Sequence, residues 1–297
     1  MLSVLIPVYN FDIRKLVIDL HHQSEAEDLN YEIIIFDDAS ENQFKDLNQE
    51  LCELSNVVYK EEPINLGRSK IRNKLASTAK YDHLLFLDCD SELKSKSFIS
   101  NYVPFLKKKQ VVYGGRSYRQ TPPDERCSLH WMHGVFREVQ PAEKRKVVPN
   151  KSFMTNNFLI HRDILESIWF DEENIDGYGH EDTLFGYELK KRNITINHVD
   201  NPVVHIGLEP SEEFLRKTRE SIVNLKKIMR INGNEKRLVN DITLLSYYKK
   251  IEKAGLNNMV LYFYKRYEHV LRKNLMSDHP KLFLFDLYKL GYLCSLS

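Results

Sequence analysis

The length, composition and charge of the chain narrow the classes of protein to which it can belong. It has 297 residues, 42% of them hydrophobic and 29% charged, which is ordinary globular composition and enough chain for a large core. Its 43 basic and 42 acidic residues leave a net charge of +1, so there is no global positive field to favour a nucleic-acid partner. The four cysteines have neither CxxC spacing nor a compact framework, which argues against a zinc ribbon or a disulfide scaffold.

The sequence also bears on location. Residues 1–7 lack the basic region of a signal peptide, and no apolar stretch approaches the ~18–20 residues of a membrane span. We therefore expect a cytoplasmic protein with reduced thiols, with peripheral contact on the inner face of the membrane left open.

Apolar runs alternate with helical patterns through the first 100 residues. The expected elements are, in order, a strand over 3–8, a helix after 13, strands over 33–36 and 57–59, a helix over 69–79 and a strand over 84–87. Continuous apolar strands that alternate with helices indicate a parallel sheet covered on both faces. Ligands of such sheets bind at the carboxyl ends of the strands.

The second half of the chain is less regular. Residues 117–150 are charged and contain a basic cluster, Lys144-Arg145-Lys146, and we read them as a long surface excursion near the site. The elements expected after it are a strand over 158–160, a helix over 162–169, a helix through 191, a strand over 195–199 and a helical, mixed-charge region from 211 onward.

Two acidic pairs follow apolar strands directly. Asp37-Asp38 comes after 33–36, and Asp88-Cys89-Asp90 comes after 84–87. Residues two apart on an extended chain point to the same side, so Asp88 and Asp90 can converge on one cation while Cys89 points into the core. Hard carboxylate ligands of this kind suit Mg²⁺ or Mn²⁺ bound to a diphosphate.

The ordered set of motifs resembles family 2 glycosyltransferases of the GT-A fold over residues 1–210. The motifs are Ser3-Val4-Leu5-Ile6-Pro7-Val8-Tyr9-Asn10, Phe36-Asp37-Asp38-Ala39-Ser40, Asn65-Leu66-Gly67-Arg68, Arg72-Asn73 and Asp88-Cys89-Asp90. The later segments Gly177-Tyr178-Gly179-His180-Glu181-Asp182 and Asn201-Pro202-Val203-Val204-His205 are similar to the galactosyltransferase-type C-terminal module of chondroitin-polymerising enzymes.

This resemblance implies an α/β, Rossmann-like GT-A fold: a mostly parallel sheet flanked by helices, with a helical C-terminal extension. It divides the chain into a nucleotide-sugar-binding half over 1–100, an acceptor and catalytic half over 101–210, and the extension over 211–297. The implied activity is that of an inverting hexosyl- or N-acetylhexosaminyl-transferase, which moves sugar from a UDP-sugar to a glycan or lipid-linked acceptor.

The donor nucleotide needs a flat ring to stack on and a partner for the edge of its base. Tyr9 and Asp38 are the candidates, and the resemblance implies that Asp38 accepts the N3–H of uracil while Pro7 forms a backbone wall. Gly67, Arg72 and Asp88 complete the implied nucleotide site, with Asp88 near the ribose or a metal-bound water; the role of Arg68 stays open. The alternative for the first pair is that Asp37 and Asp38 cap the following helix.

The resemblance makes Asp90 the direct metal ligand and His205 the residue that completes the site, and imidazole favours Mn²⁺ over Mg²⁺. It makes Asp182 the general base and assigns Glu181 and Tyr178 to sugar contacts. The alternative is that Glu181 and Asp182 only begin the next helix, where acidic residues are favoured.

Two other functions are considered. A sugar nucleotidyltransferase also uses a parallel sheet and Mg²⁺, but it needs a glycine-rich, basic phosphate loop that residues 7–12 do not provide. A non-catalytic nucleotide-sugar or carbohydrate-binding protein could keep the fold, although intact Asp90, Asp182 and His205 argue against it. In the tail, 259–267 and 282–288 combine aromatic and basic residues, a composition that fits packing onto the catalytic domain, which we favour, or a membrane interface.

Overall fold

The computed structural model describes residues 1–175, 177–231 and 236–296. The strands are β1 (Leu2–Val8), β2 (Tyr31–Asp37), β3 (Val57–Glu61), β4 (His83–Leu87), β5 (Ser91–Leu93), β6 (Val111–Tyr113), β7 (Arg116–Ser117), β8 (Asn157–His161), β9 (Ile196–His198) and β10 (Val203–His205). The α-helices are α1 (Arg14–Ala26), α2 (Asn42–Gln49), α3 (Arg68–Thr78), α4 (Ser128–His133), α5 (Ala142–Lys146), α6 (Arg162–Ile168), α7 (Glu181–Lys191), α8 (Ser211–Ile231), α9 (Lys236–Asp241), α10 (Thr243–Lys253), α11 (Asn257–Leu275) and α12 (Leu282–Ser295).

These elements form two compact units. The first comprises Met1–Tyr118, Val139–Glu172 and Glu181–Gly207, and the second comprises Arg119–Glu138, Glu173–His180 and Leu208–Ser297. The units group residues by proximity rather than by role, so the functional division at residues 100 and 210 stays a prediction.

The first unit is built on a seven-stranded sheet in the order β3-β2-β1-β4-β8-β6-β9. Its first four strands are mutually parallel, whereas β8 runs antiparallel to both β4 and β6. The prediction of a mostly parallel α/β sheet is therefore confirmed, with β8 as the reversed strand.

Strand β1 shows why the sheet is covered on both faces. Val4 and Ile6 pack in one apolar cluster together with α1 residues such as Leu20. Leu5 belongs to a second cluster, which contains Ile71 of α3. Because side chains alternate across a strand, a continuously apolar run must have a helix-covered core on each side, as the sequence pattern indicated.

A second, three-stranded sheet has the order β5-β10-β7 and matters for the site. Strand β10 runs antiparallel to β5, so that His205 lies opposite Ser91, and parallel to β7. This pairing brings the end of β10 beside the residues that follow β4.

The expectation of a surface excursion over 117–150 is wrong for much of that segment. It contains α4 and α5, and Leu129 and Arg145 are buried. The Arg145 guanidinium donates to the carbonyls of Gln140 and Val199 and lies 4.8 Å from the ring centroid of Tyr113. The basic cluster is thus partly a buried anchor, since a guanidinium surrounded by carbonyls and an aromatic face can satisfy its donors inside a protein.

The second unit confirms the helical C-terminal extension. Ile222, Leu225 and Tyr248 are members of one apolar cluster, and Phe214 and Phe285 belong to another. Across the residues that the structure describes, no helix combines the length and apolar character needed to cross a membrane.

Candidate active site

The Asp88-Cys89-Asp90 segment directly follows β4. The backbone N–H of Asp88 donates to the carbonyl of Asn156, and Cys89 packs against the core, where burial raises the pKa of its thiol. The prediction that Cys89 is a core residue is confirmed. The two aspartates make polar contacts instead, each with different partners.

Asp90 lies beside His205. Asp90 Oδ1 is 3.3 Å from His205 Nδ1, and the Ile206 N–H donates to the Asp90 carbonyl, which continues the β5-β10 pairing. The Arg116 guanidinium is 3.4 Å from the same histidine nitrogen. Burial favours the neutral form of Asp90, but His205 and Arg116 outweigh it and hold the pKa of that carboxyl well below its usual range.

The pair fits part of a divalent-cation site. Asp90 Oδ1 is buried and receives no well-aligned hydrogen bond from any described residue, so a cation would satisfy it. A carboxylate with an imidazole suits Mn²⁺. Within the described residues, no three His, Cys, Asp or Glu side chains gather into a metal site, so further ligands would have to come from a substrate or water.

Gly207 gives Asp90 its space. A Cβ at Gly207 would lie 2.6 Å from both the Cβ and Oδ2 of Asp90, which is closer than real Cβ contacts. Any other residue there would therefore displace the aspartate.

Arg72 connects Asp88 to Glu181 of helix α7. Its side chain is only 3% exposed, and its Nη2 donates to Asp88 Oδ1 over 2.7 Å. Its Nη1 lies 4.0 Å from Glu181 Oε1, and the same oxygen accepts a hydrogen bond from Arg68 Nη1 at 2.9 Å. Burial raises the pKa of Glu181, but Arg68 and Arg72 outweigh it, and the net pKa is lowered.

Asp182 is in the opposite electrostatic situation. Burial first, and the neighbouring charge of Glu181 second, raise its pKa to about 7. Its Oδ1 accepts from the Thr183 N–H at 2.6 Å. A carboxyl with a pKa near neutrality can take up a proton at physiological pH, which is what a general base requires.

Asp38 has a structural role that the sequence did not reveal. Its side chain is buried, and its two oxygens accept the backbone N–H groups of Leu66 and Gly67 at 2.6 and 3.0 Å. Burial raises the pKa of Asp38 and these two bonds partly offset the rise. The turn that begins α3 is thus held by a carboxylate from the end of β2.

Asp37 does not cap helix α2. It accepts from the Ser40 N–H and the Tyr59 hydroxyl, while the N-terminus of α2 has no side-chain cap. The capping alternative is therefore wrong for this pair. Tyr9, 54% exposed at the end of β1, is available as a stacking surface.

The structure joins five of the sequence-predicted residues by contacts and adds others. Contacts join Glu181 through Arg72 to Asp88, whose Oδ2 is 4.0 Å from Arg116 Nη2, and Arg116 in turn reaches His205 and so Asp90. Neither Arg116 nor Gly207 was assigned a role from the sequence. Gly207 could have been noticed in the sequence because it lies two residues after His205, a candidate metal ligand.

Tyr178 belongs to the second unit, unlike the other candidates. There the ammonium of Lys217 is 5.2 Å from its ring centroid, and Asn224 donates to its carbonyl at 3.2 Å.

The chain is similar to curated proteins and to solved structures. The chain is 23% identical over 245 residues to chondroitin synthase of Escherichia coli, which covers 71% of this chain and 35% of the relative. The chain therefore spans about a third of the length of that relative.

Solved structures share the fold. A mannosyltransferase of Pyrobaculum calidifontis, solved with GDP-mannose and Mn²⁺, has a TM-score of 0.53 at 16% identity and covers 77% of this chain and 64% of its own. Glucosyl-3-phosphoglycerate synthase of Mycobacterium tuberculosis, solved with Mn²⁺, UDP and glucosyl-3-phosphoglycerate, has a TM-score of 0.50 at 18% identity and covers 76% and 78%.

A family model described as glycosyl transferase family 2 matches residues 3–169, which is more than half of the chain and includes Asp38, Asp88 and Asp90. The GT-A fold and the glycosyltransferase family predicted from the motifs are thereby confirmed: the chain belongs to glycosyl transferase family 2.

Proposed function

We propose that the protein transfers a sugar from a UDP-sugar to a hydroxyl of a glycan or lipid-linked acceptor, with inversion at the anomeric carbon. The observation that carries this proposal is that Asp90 and His205 lie 3.3 Å apart, next to Asp88, which Arg72 holds in place. Family membership supports a glycosyl transfer reaction, and the two solved neighbours with bound Mn²⁺ and nucleotide support the donor class.

The nucleotide is bound at the carboxyl ends of β1 and β2. Tyr9 provides a ring for stacking, and Pro7 and Gly67 offer backbone against the base and ribose. Each carboxylate oxygen of Asp38 uses one lone pair to accept a backbone N–H of the 65–67 turn. Each oxygen has a second lone pair, which could accept the N3–H of a uracil base. Specificity for UDP over GDP is part of the proposal.

Asp90 and His205 are the residues that would hold Mn²⁺ or Mg²⁺. When bound, such a cation neutralises charge on a departing diphosphate. Arg116, within 4.0 Å of Asp88 and 3.4 Å of His205, adds a fixed positive charge at the same place. Asp88, which Arg72 holds in place, is proposed to contact the ribose or a metal-bound water.

Asp182 is the proposed general base. It removes the proton from the acceptor hydroxyl as that oxygen forms its bond to the anomeric carbon, and the bond from the anomeric carbon to the diphosphate breaks with UDP as the leaving group. Glu181 is held by Arg68 beside the base and, with Tyr178, is proposed to contact sugar. The four cysteines form no disulfide bond with one another, and we propose that the protein works in the cytoplasm.

The experiment that tests this proposal is calorimetric titration of UDP, GDP and dTDP with and without Mn²⁺. We expect Mn²⁺-dependent binding selective for UDP. Asp90→Asn should weaken it because a cation ligand is lost, and Gly207→Ala should weaken it because the methyl group displaces Asp90. Asp46→Asn, which neutralises an exposed carboxylate, is the control.

The outcomes separate the alternatives. UDP binding by both wild type and the control, followed by transfer from a screened UDP-sugar, supports the proposal. Metal-dependent binding without any turnover favours a non-catalytic protein, and release of pyrophosphate from a nucleoside triphosphate and a sugar phosphate favours a nucleotidyltransferase. A folded wild type that binds none of the nucleotides contradicts the donor site.

A further inference from the structure

Helix α11 presents an apolar stripe to solvent. Met259, Phe263, Tyr267 and Val270 follow one another at intervals of four, four and three residues, which places them on one face of a helix. Each is about half exposed, at 48–52%. The rings of Phe263 and Tyr267 are nearly parallel with centroids 6.3 Å apart, so the middle of the stripe is a stacked aromatic pair.

Cations lie along one side of this stripe. Arg266 and Lys273 are exposed there, and the Arg266 guanidinium is 5.6 Å from the ring centroid of Tyr267. The one acidic residue of α11 is Glu268, which pairs with Arg219 of α8. The outward face of α11 therefore combines apolar rings and positive charge without a carboxylate.

This combination decides between possible occupants. A second copy of the chain that docked through the same stripe would place like charges against each other, because an isologous interface repeats each patch. A neutral apolar partner would leave these two cations in contact with nothing of opposite charge. An anionic lipid surface satisfies both parts, since rings and methionine enter the headgroup boundary while lysine and arginine reach the phosphates.

We propose that α11 lies on an anionic membrane surface, with the stripe of Met259, Phe263, Tyr267 and Val270 in the interface and Arg266 and Lys273 on lipid headgroups. The inference does not rest on the proposed sugar transfer, because vesicle binding needs neither nucleotide nor acceptor. It also asks for no membrane-spanning segment: a helix on the interface buries only one face.

Vesicle flotation tests the proposal. The full chain is mixed with vesicles of phosphatidylcholine containing about 30% phosphatidylglycerol, or of phosphatidylcholine alone, since anionic lipid sets the surface potential that attracts basic residues. We expect flotation with the anionic vesicles only, and less of it as salt is raised, because salt screens the attraction.

Two double variants separate the two parts of the surface. Phe263→Ser with Tyr267→Ser removes the rings, and Arg266→Glu with Lys273→Glu reverses the charge; each should lower the partition coefficient by at least about tenfold. Lys107→Glu with Lys108→Glu, exposed residues of the first unit, is the matched control and should float like wild type. Circular dichroism checks that every variant keeps its helices.

Three results would overturn the proposal. They are a wild type that does not float, variants of α11 that float as well as wild type, and a concentration-dependent dimer that the serine variant abolishes. The last result would assign the stripe to a second copy of the chain.

Discussion

Glu181 and Asp182 are adjacent carboxyls whose environments drive their pKa values apart. Burial acts on both, but Arg68 and Arg72 keep the pKa of Glu181 low, whereas the charge of Glu181 adds to burial at Asp182 and raises its pKa to about 7. A pair of titratable groups separated in this way is the usual sign of different roles in acid–base chemistry. Glu181 and Asp182 also form the first turn of α7, which was the alternative that the sequence allowed. That position is compatible with roles in acid–base chemistry.

The pH dependence of transfer should follow from this arrangement. A base must be deprotonated, so kcat/KM is expected to rise with pH through a midpoint near 7 and then level off, as the pKa of Asp182 indicates. Asp182→Asn should lower the rate by about 10²–10⁴-fold, the usual contribution of general base catalysis. Steady-state rates between acidic and mildly alkaline pH measure both effects.

Glu181→Gln provides the internal control for that profile. It removes the neighbouring negative charge, so the pKa of Asp182 should fall and the acidic limb should move to lower pH. Stability gives a second readout. The pKa of Asp182 is raised in the folded protein, so stability is lost as pH rises from the ordinary aspartate pKa of 3.8 to about 7 and stays lost above that pH. Asp182→Asn removes this loss and should raise Tm at pH 8 but not at pH 4. An unchanged limb in Glu181→Gln would contradict the assignment of Asp182.

At the scale of elements, the start of helix α3 depends on Asp38, which directly follows strand β2. Gly67 precedes the helix with φ of 80°, a conformation that glycine adopts without strain, and Asp38 at the end of β2 binds the N–H groups of Leu66 and Gly67. Because Arg68 and Arg72 lie in the first turns of α3, this clamp also sets where the two guanidinium groups stand. Asp38 therefore positions Arg68 and Arg72 in addition to its proposed contact with the base.

Asp38→Asn tests the clamp. An asparagine offers one carbonyl oxygen and one NH₂ group, so one of the two backbone donors loses its acceptor and faces another donor. We expect the free energy of unfolding in urea to fall by about 1–3 kcal/mol, the usual cost of an unsatisfied buried donor. Asp46→Asn, at an exposed position, should change it by less than about 0.5 kcal/mol.

The same variant should also weaken UDP binding if Asp38 contacts the base. An unfolding free energy equal to that of wild type would show that the clamp does not stabilise the fold. Stability loss with unchanged UDP affinity would leave Asp38 as a purely structural residue.

The sequence predicted those elements whose signal is local. The runs over 33–36 and 84–87 are apolar throughout, and strands buried on both faces are found there. The packing of Cys89 against the core followed from similar local reasoning, because residues two apart on a strand point to one side. The features that the sequence could not predict depend on contacts between residues distant in the chain. One example is the bonding of Asp38 to the backbone N–H groups of residues 28 and 29 positions later.

The site shows the same limit. His205 could be chosen as a metal ligand by resemblance, but its position beside Asp90 depends on the β5-β10 pairing, which no local pattern specifies. The buried anchor Arg145 reads as a surface charge within a basic cluster, because a single arginine gives no sign of the carbonyls that surround it. Gly207 matters only through the space that it leaves to Asp90.

At the scale of the whole molecule, each unit has its own apolar core. The clusters around the seven-stranded sheet contain residues of the first unit, and those that contain Leu225 and Phe285 lie in the second. The candidate donor and metal residues, from Pro7 to His205, all belong to the first unit. Nucleotide affinity and the stability of the second core should therefore be separable properties.

Leu225→Ala tests that separation. Leu225 is fully buried in the core of the second unit, and loss of such a side chain costs about 2–5 kcal/mol because of lost burial and the cavity left behind. Differential scanning calorimetry should show the destabilisation, while the Kd for UDP with Mn²⁺ should stay within about twofold of wild type, equivalent to under about 0.5 kcal/mol. Leu159→Ala, the matched change in the core of the first unit, should lower both stability and UDP affinity, since Leu159 lies on the strand next to β4. If Leu225→Ala weakened UDP binding as much as Leu159→Ala does, the second core would have to be counted among the supports of the donor site.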